Sequence, residues 1–150
     1  NLKCTIVLDC SKSMRYGEVD GWSKFDYAAT AAASLAYMLQ QQQDAVGLVT
    51  FSNQIEKNLK ASSHPSHLKL MLHELQQTTA DDKTDISDVY RQLAGQIKTR
   101  GLVVLVSDLF LDIETLQDLL DLEACGLPVV WPTGWDRLRA RRVLHCRTSW

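Results

Sequence analysis

The sequence predicts a three-layer, doubly wound α/β domain of Rossmann-like type, its sheet mostly parallel with one short antiparallel edge strand. Three observations predict it. The strand candidates at residues 4–9, 45–51 and 102–106 are apolar almost throughout, as strands buried on both faces must be. Segments with helical apolar spacing alternate with them, the order that gives parallel pairing. A chain of 150 residues with 45% hydrophobic content suits one domain that buries about two-thirds of its unfolded surface.

The first strand, Cys4-Thr-Ile-Val-Leu-Asp9, ends in a carboxylate. Residues 11–21 are rich in Ser, Gly and charge and read as a loop. Ser23-Lys-Phe-Asp26 has capping-box character, with Asp26 in place of the usual Glu or Gln. It opens a helix whose positions Ala28, Ala32, Leu35, Ala36 and Leu39 follow helical spacing. Its many small residues allow close approach to a sheet. Residues 45–51 form the second strand. Residues 55–59 alternate apolar with polar, which places them at an edge. Pro65 suits the first turn of a helix lined by Leu68, Met71, Leu72 and Leu75. A polar loop at 76–83 leads to a helix carrying Val89, Leu93 and Ile97, and Gly101 releases the strand at 102–106. Asp112 caps a further helix through Leu122, and 128–131 form a final short strand.

Bulk properties exclude several function classes. Net charge is −2, too small a bias to favour nucleic acid or anionic lipid. No apolar stretch of about 18 residues is present to span a membrane. Cys4, Cys10, Cys125 and Cys146 form no C-x-x-C pair or zinc-like spacing, so free thiols in a reducing, cytoplasmic compartment are expected. The chain opens almost directly on a strand, without initiator Met or signal peptide. A piece of a longer protein is expected to start this way.

In doubly wound sheets the functional crevice lies beyond the carboxyl ends of the strands, where strand order reverses. Three loops reach that region. The first reads Asp9-Cys-Ser11-Lys-Ser13, and alternate positions of an extended segment point the same way. The second carries Thr84 beside Asp85, and the third carries Asp108. All are hard oxygen donors, which favours Mg²⁺, Mn²⁺ or Ca²⁺ over zinc, and the few carboxylates lean toward Mg²⁺. Ser and Asp after a strand also serve as turn formers and caps. It is the combination of Asp9, Ser11, Ser13, Thr84 and Asp108 across three loops that points to a metal site.

Those five residues resemble the metal-ion-dependent adhesion site of von Willebrand factor A domains. The resemblance implies that the serines and the threonine contact the metal, that the aspartates act largely through water, and that a partner's Asp or Glu carboxylate completes the octahedron. The segments Ser23-Lys-Phe-Asp-Tyr-Ala, Asp44-Ala-Val-Gly-Leu-Val-Thr-Phe-Ser52, Thr84-Asp-Ile and Arg100-Gly-Leu-Val-Val-Leu-Val-Ser-Asp-Leu-Phe110 are similar to the bacterial domain-of-unknown-function 58 family. That likeness covers residues 4–124. It implies a non-catalytic adaptor or scaffold working with a MoxR-type AAA+ ATPase in protein maturation or assembly, in longer proteins that commonly carry membrane helices upstream.

Residues 125–150 depart from the family pattern. Within 126–150 lie three of the four Trp, five Arg and one acidic residue. A frameshifted or spurious reading frame explains this better than a basic tail for an anionic partner. The domain is therefore expected at 1–124, with an atypical segment after it.

Other chemistries fare less well. A haloacid-dehalogenase-like phosphatase needs a second Asp two residues after the nucleophile as general acid. Here that position is Ser11. No G-x-S-x-G elbow and no P-loop are present. His64, His67 and His73 read as exposed side chains around a helix. Tyr16, Trp22 and Phe25 fit equally a partner surface or packing over the helix start. A von Willebrand-like scaffold that binds no metal is the third alternative.

Overall fold

A computed structural model describes residues 2–16, 21–79, 92 and 101–108. The described elements are β1 (Lys3–Asp9), a 3₁₀ turn (Lys12–Arg15), α1 (Lys24–Gln41), β2 (Ala45–Phe51), β3 (Ile55–Ser62), α2 (Pro65–Gln77) and β4 (Leu102–Val106). The strands form one sheet in the order β3-β2-β1-β4. β1 is parallel to both β2 and β4, and β3 is antiparallel to β2. The expected fold class is the one observed.

The period-2 alternation of β1 and its in-register partners sorts the apolar side chains onto two faces. Cys4, Ile6 and Leu8, with Val46, Leu48 and Val104, join one core with α1 and α2. Val7, Val49, Val103 and Leu105 have the opposite parity and are buried as well. Both faces of the central strands are thus covered, which explains why these segments carry so few polar residues. α1 contributes Phe25, Ala28, Ala32, Ala36 and Leu39 to the core. Its alanines let the helix backbone approach the sheet.

Local chemistry sets the boundaries. Ser23 caps α1: its hydroxyl accepts from the Asp26 N–H, while the Asp26 carboxylate accepts from the Ser23 N–H at 2.8 Å. The expected capping box is present. At the other end, Gln43 N–H donates to Gln40 O and Asp44 N–H to Leu39 O, the bonding of a Schellman motif. Gln43 takes the left-handed conformation, at φ 60°, that such a motif usually gives to glycine. Two close approaches do require glycine. A Cβ at Gly47 would stand 2.8 Å from Ala61 N and Leu59 O, where the β2–β3 register shifts. A Cβ at Gly101 would collide with the Lys3 carbonyl oxygen beside β1.

Four expectations need correction. The edge strand runs to Ser62, three residues past the alternating stretch at 55–59; pairing with β2 carries it through Lys60, Ala61 and Ser62, which have no large apolar side chain to announce a strand. The loop at 11–21 contains the 3₁₀ turn. His67 is half-buried, its Nε2 sequestered without a hydrogen-bond partner among the described residues, whereas His64 and His73 are exposed as expected. Leu72, placed on the buried side of α2, is exposed, and Met71 and Leu75 are the residues the helix buries. The helix with Val89, Leu93 and Ile97, the elements beyond residue 108 and the atypical segment 125–150 lie outside the described residues.

Candidate metal centre

The connection from β1 leads through α1 to β2 on one side, whereas β4 pairs with β1 on the other. The carboxyl ends of the adjacent strands β1 and β4 therefore border the crevice expected where strand order reverses. Asp9 ends β1, and Ser107 and Asp108 follow β4.

Asp9 turns the chain into the crevice. Its Oδ1 accepts from the Ser11 N–H at 2.8 Å, the two-residue-on bond of an Asx turn. Its Oδ2 accepts from the Ser107 hydroxyl, tying the end of β1 to the end of β4. Cys10 N–H donates to Phe51 O at 2.7 Å, fixing the loop to β2. Met14 N–H then donates to Ser11 O, and the buried Met14 side chain anchors the 3₁₀ turn in the core. These restraints bring two hydroxyls together, with Ser11 Oγ and Ser13 Oγ 3.0 Å apart. Ser13 Oγ donates to Asp108 Oδ1 at 3.1 Å. Lys24, the first residue of α1, places its Nζ 3.2 Å from Asp108 Oδ2.

Four of the five expected site residues, Asp9, Ser11, Ser13 and Asp108, therefore converge. Thr84 lies outside the described residues. Asp9 and Ser11 are almost fully buried, at 1% and 0% exposure. Burial pushes the Asp9 carboxyl above its ordinary range; hydrogen bonds from Ser107 and Ser11 oppose this, and the negative charge of Asp108 adds to it. Among the described residues no group of three His, Cys, Asp or Glu side chains converges. A cation here would rest on two carboxylates and two hydroxyls, a hard, sparsely charged donor set that fits Mg²⁺. Burial pushes the Cys10 thiol up to about 12, with the charge of Asp9 adding to it.

Two functional neighbours escape a reading of the loops alone. Ser107 sits directly after an apolar strand beside Asp108, and only the sheet order shows that it faces Asp9. Lys24 carries a detectable signal. A cation in the first helical turn opposes the helix dipole, so its place in the Ser23-Lys-Phe-Asp26 box calls for an anion nearby. The aromatic residues divide: Phe25 packs in the core, while Tyr16 and Trp22 are exposed. The Trp22 and Tyr27 rings meet at 5.4 Å.

Comparison with known proteins is consistent with this architecture. No curated protein matches the chain. Among solved structures, it is similar to an aerotolerance-related membrane protein from Bacteroides fragilis, at 17% identity and TM-score 0.69, covering 87% of this chain and 66% of that one. A similar match is the conserved hypothetical protein BatB from Bacteroides thetaiotaomicron, at 17% identity and TM-score 0.65, covering 87% and 65%. The chain thus spans just under two thirds of either relative. The SpRpn10 VWA domain matches at 16% identity and TM-score 0.51, covering 90% of this chain and 91% of that one. These likenesses show the von Willebrand A-type fold. Residues 1–131 match the family described as "Protein of unknown function DUF58", and the chain belongs to that family.

Proposed function

We propose that this chain is a non-catalytic protein-binding module whose crevice takes a divalent cation, Mg²⁺ by preference over Mn²⁺ or Ca²⁺, and through it a partner's carboxylate. The convergence of Asp9, Ser11, Ser13 and Asp108 at the β1/β4 switch point carries the reading. Asp9, Ser11, Ser13 and Asp108 would hold the ion, with Thr84 proposed as a fifth ligand. When bound, the ion supplies a Lewis-acidic centre for an anionic side chain. The chain's own residues do the positioning: the Asx turn fixes the serines, and Ser107 holds Asp9.

Catalysis is disfavoured by the same geometry. A phosphatase of the haloacid-dehalogenase kind needs a general acid two residues after Asp9, and that residue is the buried Ser11, whose hydroxyl faces Ser13. Family resemblance supports an adaptor role beside a MoxR-type AAA+ ATPase. We place the module in the cytoplasm, with any membrane anchor carried elsewhere in a longer protein. Among the described residues no helix is long and apolar enough to cross a membrane.

Titration with Mn²⁺ and Mg²⁺, followed by electron paramagnetic resonance and calorimetry, tests the metal. Stoichiometric binding lost in Asp9→Ala and Ser11→Ala is expected. Binding indifferent to both changes, or none, would leave a metal-free scaffold. Mg²⁺-dependent phosphatase turnover abolished by Asp9→Asn would reverse the non-catalytic reading. Partners recovered by affinity capture with Mg²⁺ and lost with chelator would identify what the crevice binds.

A further inference from the structure

We infer that Lys24 acts in two opposite directions at the crevice: it competes with the divalent cation for Asp108, and it helps the loaded crevice accept a carboxylate. The inference rests on the proposed metal site and deepens it. Its basis is geometric. The capping box fixes the first turn of α1, with Ser23 and Asp26 exchanging hydrogen bonds around Lys24. From there the Lys24 ammonium reaches Asp108 Oδ2 at 3.2 Å, while Ser13 holds Oδ1 of the same carboxylate. An ammonium thus sits against a carboxylate that the cation would also use.

Charge arithmetic on the described groups gives both signs. Lys24 adds one positive charge beside the carboxylates of Asp9 and Asp108. A divalent ion must then enter against a fixed positive charge, which weakens its binding. Once the ion is held, the crevice is one unit more positive with Lys24 than without it. The chain with Lys24 thus presents more positive charge to an incoming anion than the chain without it. The Lys24 side chain is 48% exposed, so solvent screens these effects to a few-fold each and salt reduces them further.

The test is Mn²⁺ affinity of wild type, Lys24→Gln and Lys24→Arg at low and high salt, then acetate binding to each Mn²⁺-loaded protein by broadening of its methyl proton signal. Lys24→Gln should bind Mn²⁺ roughly 3- to 10-fold more tightly at low ionic strength, with the gap closing in about 0.5 M salt. The same variant should bind acetate several-fold more weakly, and Lys24→Arg should stay near wild type in both. A purely structural Lys24 would move both affinities the same way or neither. Unchanged or weakened Mn²⁺ binding in Lys24→Gln overturns the competition, and unchanged acetate binding overturns the second half. If wild type binds no Mn²⁺ but Lys24→Gln does, the competition stands while the proposed function of the native site falls. If neither binds, both fall.

Discussion

Asp9 is where sequence, burial and charge meet at a single side chain. It is buried beside a second carboxylate and compensated by hydrogen bonds from Ser11 and Ser107. Because folding raises its pKa, the cation-free protein gains stability from this group at acid pH and loses it as pH rises through the folded value. Replacing it with the isosteric amide should remove that loss. Asp9→Asn, in chelator, should be more stable than wild type near neutral pH by about 1 kcal/mol, the scale of one buried hydrogen-bonding group. The two should converge in acid. Melting curves from pH 3 to 8 check this; a variant less stable than wild type at every pH would show that hydrogen bonding outweighs the buried charge. Added cation should reverse the order, since the ion favours the ionised carboxylate.

At the scale of elements, legibility followed how local the determining physics was. The capping box of α1 was readable because Ser23 and Asp26 interact across one turn. β1, β2 and β4 were readable because strands covered on both faces leave a continuous apolar run. β3 was only partly so: beyond Leu59 it carries no large apolar side chain, and its pairing depends on Gly47 in another strand leaving room for its backbone. Asp9, Ser11, Ser13 and Asp108 were legible as a set, but their joining to Ser107 and Lys24 depended on strand order and helix placement. The α1 terminus shows the converse case. Nothing in Gln40-Gln-Gln-Gln43 announces a left-handed residue, yet Gln43 is one. Gln43→Gly should therefore stabilise the fold by about 1 kcal/mol. Chemical denaturation checks it, with a raised midpoint at unchanged slope expected.

For the whole molecule, a ligand that binds only the folded chain stabilises it in proportion to the logarithm of its concentration. Mg²⁺ at about 100 times its dissociation constant should add about 2.7 kcal/mol, or about 5–10 °C in Tm for a domain of this size. EDTA should return the baseline, and Asp9→Ala should show no shift with added ion. A Tm insensitive to Mg²⁺ and Mn²⁺ at millimolar levels would remove the cation from the description of this protein.

The seam between β1 and β4 has a consequence in time as well as space. Ser107 reaches Asp9 across 98 positions, and Asp108 reaches Ser13 across 95. A chain still emerging from synthesis, or one whose fourth strand has not docked, owns only half of the crevice. A partner that waits for the completed crevice would be reading a certificate of finished folding.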